Sequence, residues 1–233
     1  MKPFFVILML IASFSAQADE ALIRKNLAER FPKIQINQIN PSPLADIYEV
    51  WAGGKLFYVD KNGDYILLGP LLNVRSQTNI SQKRLEELQA IKFDDLPLNK
   101  AIKIVKGNGE RMLAIFSDPE CPYCKRLERE LDQINNLTVY IFMYPLQTIH
   151  PHSVAIAEQI WCSSDRGQSW EQHMRDGTEP KPALTCDNPV ADLIALGNKI
   201  GIDGTPTLIF HNGKRESGTL SSSEIEHLLK TNS

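Results

Sequence analysis

The spacing of apolar residues predicts two differently built parts, and the first contains a small sheet. One helix is expected at about residues 21–30, and short β-rich runs separated by turn residues follow it. The predicted strands cover residues 34–40, 47–51, 55–59, 65–68 and 71–74. Asn62-Gly63 between two of these runs suits the positive φ angles of a tight hairpin. The pattern therefore predicts a small antiparallel sheet within residues 19–79.

A charged helical segment follows the predicted sheet. Leu85, Leu88 and Ile91 lie three residues apart among charged neighbours, which predicts a linker helix at residues 81–91. A surface helix within one single domain is the alternative interpretation of this segment. About 60 residues without a cysteine bury little core by themselves, so we expect the small sheet to find a partner by self-association.

From residue 98 onward the pattern alternates between strands and helices, which predicts an α/β domain. Strands are expected at residues 112–116, 138–143 and 207–210. Helices are expected from the cysteine motif to residue 134 and at residues 153–161, 190–200 and 221–229. The fold class predicted for the whole chain is therefore α+β followed by α/β.

The first 18 residues have the layout of a cleaved secretory signal. A single Lys2 precedes an apolar run, and Ala16-Gln17-Ala18 offers the small residues of a cleavage site. A membrane anchor is the alternative, but it needs about 20 apolar residues, and polar residues interrupt this run earlier. We expect export to a bacterial periplasm, with the mature chain starting at about Asp19. A net charge of -3 without a dense basic tract excludes nucleic-acid binding.

Four cysteines would remain in an oxidising compartment, where three pairings are possible. The close spacing of Cys121 and Cys124 favours a bond between these two. That choice leaves Cys162 with Cys186, and a disulfide closing this loop would contribute roughly 3.5 kcal/mol on the chain-entropy model. We expect the second pair to be structural.

The Cys121-Pro122-Tyr123-Cys124 segment carries the predicted chemistry. A helix start favours negative charge, so the pKa of Cys121 should be low enough for it to act as a nucleophilic thiolate. Pro122 suits the first helical turn, and Cys124 would be the resolving thiol. Half of a zinc site and an inert disulfide are the alternatives. The predicted strand before the motif and helix after it favour the redox function.

Two further segments contain residues that could take part in the site. Thr205-Pro206 stands before the predicted strand at residues 207–210, where a proline can simply mark the strand boundary. A cis-proline loop is the functional alternative, because it would expose the backbone of Thr205 to a bound peptide. His150 and His152 lack further metal ligands, so we expect them to belong to an ordinary loop.

Together these segments resemble the DsbC/DsbG disulfide isomerases. The resemblance rests on residues 116–124, on Ile160-Trp161-Cys162, on Cys186 and on Gly204-Thr205-Pro206, and the region 54–74 is similar to that family's N-terminal dimerisation domain. It implies a V-shaped homodimer in which each chain has a linker helix and a thioredoxin-like catalytic domain with a helical insertion. The predicted limits are residues 1–18 for the signal, 19–79 for the dimerisation domain, 80–97 for the linker and 98–233 for the catalytic domain.

The resemblance also assigns roles. It implies a Cys121 nucleophile, a Cys124 resolving thiol, a structural Cys162–Cys186 disulfide, and substrate contacts from Thr205, Pro206, Pro122 and Tyr123. It implies no metal or organic cofactor, and a membrane reductase of the DsbD type that keeps the motif reduced.

The expected function is isomerisation, and also reduction, of non-native disulfides in misfolded exported proteins. The dipeptide Pro122-Tyr123 departs from the Gly-Tyr that is frequent in the family. A dedicated periplasmic reductase or oxidase with a narrow client is therefore one alternative function. A dimeric holdase chaperone is the other.

Overall fold

The computed structural model describes residues 7–180 and 186–231, with side chains from Asp19 onward. The chain divides into two compact units, Met1–Leu85 and Glu86–Ser233. The first six residues of the predicted signal lie outside the described residues. In the described part of the chain, no helix combines the length and the apolar character that crossing a bilayer requires.

A long helix and a four-stranded antiparallel sheet form most of the N-terminal unit. Its elements are α1 (Ile7–Arg30), β1 (Ile36–Pro41), β2 (Ile47–Ala52), β3 (Lys55–Asp60), β4 (Ile66–Leu67), β5 (Leu72–Asn73) and β6 (Thr78–Asn79). The sheet has the order β1-β2-β3-β4, and Ile23 and Leu27 of α1 pack on its Val50 and Val59. The predicted run at residues 71–74 does not join this sheet, because β5 pairs with β6 in a separate two-stranded ribbon.

Helix α1 begins at Ile7, so the prediction of a start near residue 21 was wrong. The stretch Ile7–Arg30 contains neither glycine nor proline, and nothing in it interrupts the helical backbone. The helix runs through the predicted end of the signal at residue 18. Just after that point, Asp19 accepts a 2.6 Å hydrogen bond from the Tyr48 hydroxyl, and this bond raises the pKa of Tyr48 to about 12.

Helix α2 (Ile80–Gln89) corresponds to the predicted linker helix and has no buried side chain. The boundary between the two units falls within it. Within the N-terminal unit, Arg84 forms a 2.7 Å ion pair with Glu49 of β2. Two single 3-10 turns, Phe93–Asp95 and Leu98–Lys100, follow the helix.

The C-terminal unit is a five-stranded mixed sheet covered by helices. Its elements are β7 (Ile102–Lys106), β8 (Arg111–Ser117), α3 (Pro122–Leu131), β9 (Leu137–Met143), α4 (Ser153–Trp161), α5 (Arg166–Asp176), α6 (Val190–Lys199), β10 (Thr207–Phe210), β11 (Arg215–Ser217) and α7 (Ser222–Thr231). The strand order is β11-β10-β8-β9-β7, in which only the pair β8 and β9 is parallel. Strands β7 and β11 and helix α5 were not predicted from the sequence.

The buried middle of this sheet positions the cysteine motif. The last five residues of β8, Leu113 to Ser117, are all buried, and Phe116 stacks on Phe142 of β9 with ring centroids 5.0 Å apart. Because β8 and β9 are parallel, a crossover must connect them, and α3 is that crossover. The motif therefore lies in the connection that leaves the carboxyl end of a central strand.

Candidate active site

Cys121 and Cys124 are both free thiols at the start of α3. Cys121 is the N-cap residue with extended backbone angles, and Pro122 occupies the first turn, where no backbone N–H is needed. Cys124 lies one turn further along, on the same buried face as Leu127 and Leu131. The sulfur of the first cysteine is thus close to the positive end of the helix, while the second points into the core.

The surroundings of Cys121 favour its thiolate. The hydrogen bond from the Cys124 thiol is the largest cause, and burial opposes it. The Thr205 side chain and the backbone N–H groups of Cys124 and Tyr123 act in the same direction as the thiol. Together these donors lower the pKa of Cys121 to about 5. The thiol is almost fully ionised at neutral pH.

Cys124 is affected in the opposite direction. Burial raises the pKa of its thiol, and its hydrogen bond to Cys121 adds to the rise, while the Ser117 side chain opposes it. At neutral pH one thiol of the motif is therefore a nucleophile and the other holds its proton. Such a pair can attack a disulfide through one sulfur and resolve the product through the other.

The loop before β10 supplies the other wall of the site. Strands β8 and β10 are antiparallel neighbours, with Thr207 opposite Phe116, so the start of β10 lies beside the end of β8. The Thr205-Pro206 peptide bond is cis, and the Thr205 carbonyl oxygen is 3.4 Å from the Cys121 sulfur, from which it accepts a hydrogen bond while the thiol is protonated. The Thr205 hydroxyl is buried and has no hydrogen-bond partner among the described residues.

The other predicted site residues differ in their exposure to solvent and in their relation to the cysteine motif. Tyr123 is 63% exposed, and its carbonyl accepts a 2.8 Å hydrogen bond from the Thr219 hydroxyl. Pro122 is also exposed, whereas Pro206 is buried. A disulfide joins Cys162, which caps the end of α4, to Cys186, and their Cα atoms are 5.8 Å apart. This bond encloses helix α5 and takes no part in the cysteine motif.

A buried carboxylate holds the segment that leads into the motif. Asp118 is fully buried, and one of its oxygens accepts the backbone N–H of Glu120 at 2.8 Å. Its other oxygen accepts the N–H of Leu146 at 2.6 Å and contacts Nδ1 of His150 at 2.9 Å. The loop around His150 is thus more than an ordinary connection, because it is fastened to the residues just before Cys121. The sequence places Asp118 near the motif but gives no sign of these partners, which lie about 30 residues away.

The described residues contain no group of three or more His, Cys, Asp or Glu side chains arranged to hold a metal ion.

The site combines an ionised thiol and a protonated thiol at a helix start with a cis-proline loop, and it lies on a mixed sheet. This combination defines a thiol–disulfide oxidoreductase of the thioredoxin class.

Comparison with known proteins agrees with this class. Residues 98–233 match the thioredoxin-like domain family, and residues 14–82 match the N-terminal domain of disulfide bond isomerase proteins. The chain is 37% identical over 215 residues to the probable thiol:disulfide interchange protein DsbC of Bordetella parapertussis, covering 91% of this chain and 76% of that protein. It is 30% identical over 237 residues to the thiol:disulfide interchange protein DsbC of Escherichia coli, covering 98% and 96%.

A solved structure leads to the same family. The disulfide interchange protein of Neisseria gonorrhoeae superposes with a TM-score of 0.57 at 44% identity, covering 59% of this chain and 98% of that one. This chain therefore belongs to the DsbC family of thiol:disulfide interchange proteins. The predicted family resemblance and fold class are confirmed, and so is the prediction of a disulfide-isomerase oxidoreductase.

Proposed function

We propose that Cys121 is the nucleophile with which this protein isomerises non-native disulfides in exported proteins. Its thiolate attacks one sulfur of a substrate disulfide, forms a mixed disulfide and releases the other substrate sulfur as a thiolate. A substrate thiolate then attacks the mixed disulfide, which creates a new substrate disulfide and restores the Cys121 thiolate. This route transfers no net electrons.

Cys124 provides the second route. After losing its proton, it attacks Cys121 in the mixed disulfide, so the substrate leaves with two reduced sulfurs and the enzyme leaves as the Cys121–Cys124 disulfide. Two electrons pass from enzyme to substrate, and a reductase of the DsbD type would have to return them.

The contrast between the two thiols carries the proposal. A pKa of about 5 keeps Cys121 ready to attack at neutral pH. Burial and the contact with Cys121 raise the pKa of Cys124, so few molecules have the resolving thiolate at any moment. A slow escape through Cys124 gives a substrate time to rearrange within the mixed disulfide. The same contrast argues against a pure reductase, in which rapid resolution would be an advantage.

We propose that the protein acts in the periplasm as a homodimer. The signal-like residues 1–18 support export, and the periplasm is an oxidising compartment in which the disulfides of exported proteins form and persist. The N-terminal unit leaves apolar side chains exposed along its edge strand β4 and next to it, including Tyr65, Leu67 and Leu68, the last 86% exposed. A second copy of the chain would cover such an edge and this apolar surface, which supports a homodimer. The substrate contacts of Thr205, Pro206, Pro122 and Tyr123 remain part of the proposal.

The decisive experiment is the recovery of activity from a scrambled ribonuclease in a mildly reducing glutathione buffer. Wild type should restore ribonuclease activity, and Cys121→Ala should not. Cys124→Ala should keep part of the activity, because rearrangement within the substrate does not need the second thiol. If wild type only reduces or oxidises the substrate without recovery, the narrow redox function replaces isomerisation. If Cys121→Ala and Cys124→Ala together leave suppression of aggregation as the main activity, the holdase alternative replaces it.

A further inference from the structure

A buried histidine links helix α5 to the residues before the nucleophile. His173 is 3% exposed, and it lies in the last turn of α5, where its side chain joins Trp170 and Met174 on the buried face. Its Nε2 atom is 3.1 Å from the carbonyl oxygen of Pro119, and Pro119 is two residues before Cys121. The proposed mechanism makes no use of this side chain.

The second ring nitrogen meets a carbonyl as well. Nδ1 of His173 is 3.1 Å from the carbonyl oxygen of Thr178. Gly177 ends α5 in the left-handed conformation, with φ of 70°, and this reversal brings the Thr178 carbonyl back to the helix. Both partners of the ring are therefore hydrogen-bond acceptors.

The number of protons on the ring decides whether this geometry is favourable. A neutral imidazole has one N–H, so one of its two nitrogens would direct a lone pair at a carbonyl oxygen. An imidazolium has two N–H groups and can donate to both carbonyls. A buried ring nitrogen that has no hydrogen and faces a carbonyl oxygen destabilises the folded protein. This geometry therefore favours the doubly protonated ring.

The end of a helix favours the same state. The last carbonyl groups of α5 are the negative end of its dipole, and a positive charge in this turn is stabilised there. Burial opposes the charge, but the two carbonyl dipoles and the helix end replace part of the lost hydration.

Several ionisable groups surround His173 and contribute to its electrostatic environment. Helix α5 packs on α3, α4 and β7. The ionisable groups on these elements, on the motif loop and on α5 with the turn that follows it are Tyr123, Cys124, Lys125, Arg126, Glu128, Arg129, Glu130, Glu158, Lys103, Lys106, Asp118, Glu120, Cys121, Arg166, Glu171, Arg175, Asp176 and Glu179. Five of the carboxylates already have partners. Trp170 donates to Glu128, Arg175 pairs with Glu171, and Asp118 contacts His150. The backbone N–H groups of His152 and Ser222 donate to Glu120 and Glu130.

We propose that His173 is held as an imidazolium that donates to the carbonyls of Pro119 and Thr178, and thereby acts as a positioning residue for Cys121. One proton from solvent supplies the second N–H. The cation fixes the backbone just before the nucleophile and favours the negative thiolate by its charge. This inference rests on the proposed nucleophilic role of Cys121 and adds a proton-dependent control to it.

The first test measures the protonation state directly in the reduced, full-length wild type. Nitrogen-15 spectra of the ring nitrogens distinguish a doubly protonated imidazole from either neutral tautomer. The chain has five histidines, and His150→Gln, His152→Gln, His211→Gln and His227→Gln each remove one signal, which leaves that of His173 identified without changing it. At neutral pH the spectrum of His173 should be that of a ring with hydrogens on both nitrogens. A neutral single tautomer of His173 at neutral pH overturns the proposal.

The second test measures the consequence for the nucleophile. His173→Gln removes the charge but keeps an N–H donor, and the exposed His227→Gln is the matched control. The alkylation rate of Cys121 as a function of pH gives the midpoint of thiolate formation. In His173→Gln this midpoint should rise by about half a unit or more, about threefold in thiolate fraction well below the midpoint. An unchanged midpoint in a folded variant overturns the coupling to Cys121.

These measurements do not depend on isomerase activity. If scrambled ribonuclease is not recovered by wild type, the proposed function fails while the spectra and the titration still decide the state of His173. If ribonuclease is recovered and His173 is neutral, only the present inference fails.

Discussion

Thr205→Val is the substitution that most directly tests how the site stabilises its thiolate. The hydrogen bond from Cys124 is the largest cause of the low pKa of Cys121, and the Thr205 side chain adds to it. The Thr205 hydroxyl is buried with no partner among the described residues, so it is available to the sulfur once that sulfur is ionised. Valine has nearly the same shape as threonine but cannot donate.

The size of the effect follows from the charge on the acceptor. A hydrogen bond to a charged group contributes about 1.5–3 kcal/mol, which corresponds to about one to two pKa units. Thr205→Val should therefore raise the pKa of Cys121 from about 5 by at least about one unit. The reduced enzyme loses about 1.4 kcal/mol of stabilisation at neutral pH, so its reduction potential should fall by about 30 mV.

The assay is alkylation of Cys121 across the acid range, combined with equilibration in glutathione buffers. At about pH 5.5 the variant should be alkylated about threefold more slowly than wild type, and at neutral pH almost equally fast. Thr138→Val is the matched control, because the buried Thr138 hydroxyl bonds to the Gly109 carbonyl at a distance from the motif. An unchanged midpoint in Thr205→Val, or an equal shift in the control, would refute the assigned role of the hydroxyl.

Three further predictions test the supporting structure. Asp118→Ala leaves the partly buried N–H groups of Glu120 and Leu146 without their acceptor and should lower the free energy of unfolding by about 2–4 kcal/mol in urea. Asp118→Asn should recover part of this loss, and a loss below about 1 kcal/mol in Asp118→Ala contradicts the prediction. Replacing Cys162 and Cys186 together by Ala should cost about 3.5 kcal/mol in the same measurement without moving the thiolate midpoint of Cys121, and a moved midpoint would contradict a purely structural role. Burial raises the pKa of Glu128 to about 7, so the folded state holds this proton more tightly than the unfolded chain does, and wild type should lose about 3 kcal/mol as pH rises from about 4.5 to about 7. Glu128→Gln should flatten that pH profile while keeping the hydrogen bond from Trp170, and an unchanged profile would show that Glu128 is not its source.

The motif and its helix could be predicted because their signals are local. Pro122 fits only the first turn of a helix, and Cys124, Leu127 and Leu131 repeat at helical spacing, so the sequence alone indicates where α3 starts and which face it buries. The same holds for most strands, whose apolar runs end at turn residues.

The missed elements had weaker signals. Helix α5 is polar overall, and only Trp170, His173 and Met174 mark its buried face. Its ends were visible, since Asp165 accepts the N–H of Gln168 as an N-cap and Gly177 ends the helix, but the polar sequence between them resembles a loop. Strand β7 has only a short alternation of apolar and lysine residues, and it becomes a strand by pairing with β9.

The contacts that tune the site could not be predicted from local sequence. The Asp118 carboxylate depends on Leu146 and His150, and the carbonyl of Pro119 meets His173 only because α5 folds back on the motif. Leu146, His150 and His173 are each separated from Cys121 by about 25 residues or more, so their positions are set by the packing of the whole unit. No spacing rule connects them.

This division between local and distant signals has a functional consequence. The motif itself, with its helix start, provides a reactive thiol wherever such a segment folds. What distinguishes one disulfide enzyme from another is the stability of that thiolate and the readiness of the second thiol. Here the largest effects arise from burial and from the contact between the two cysteines, and two groups outside the motif adjust them: Thr205 helps to lower the pKa of Cys121, and Ser117 opposes the raised pKa of Cys124. Substitutions at these outer positions should therefore change the balance between isomerisation and reduction while the motif stays intact. A change of the Pro122-Tyr123 dipeptide alone should not reproduce their effects, because neither of these side chains donates a hydrogen bond that lowers the pKa of Cys121.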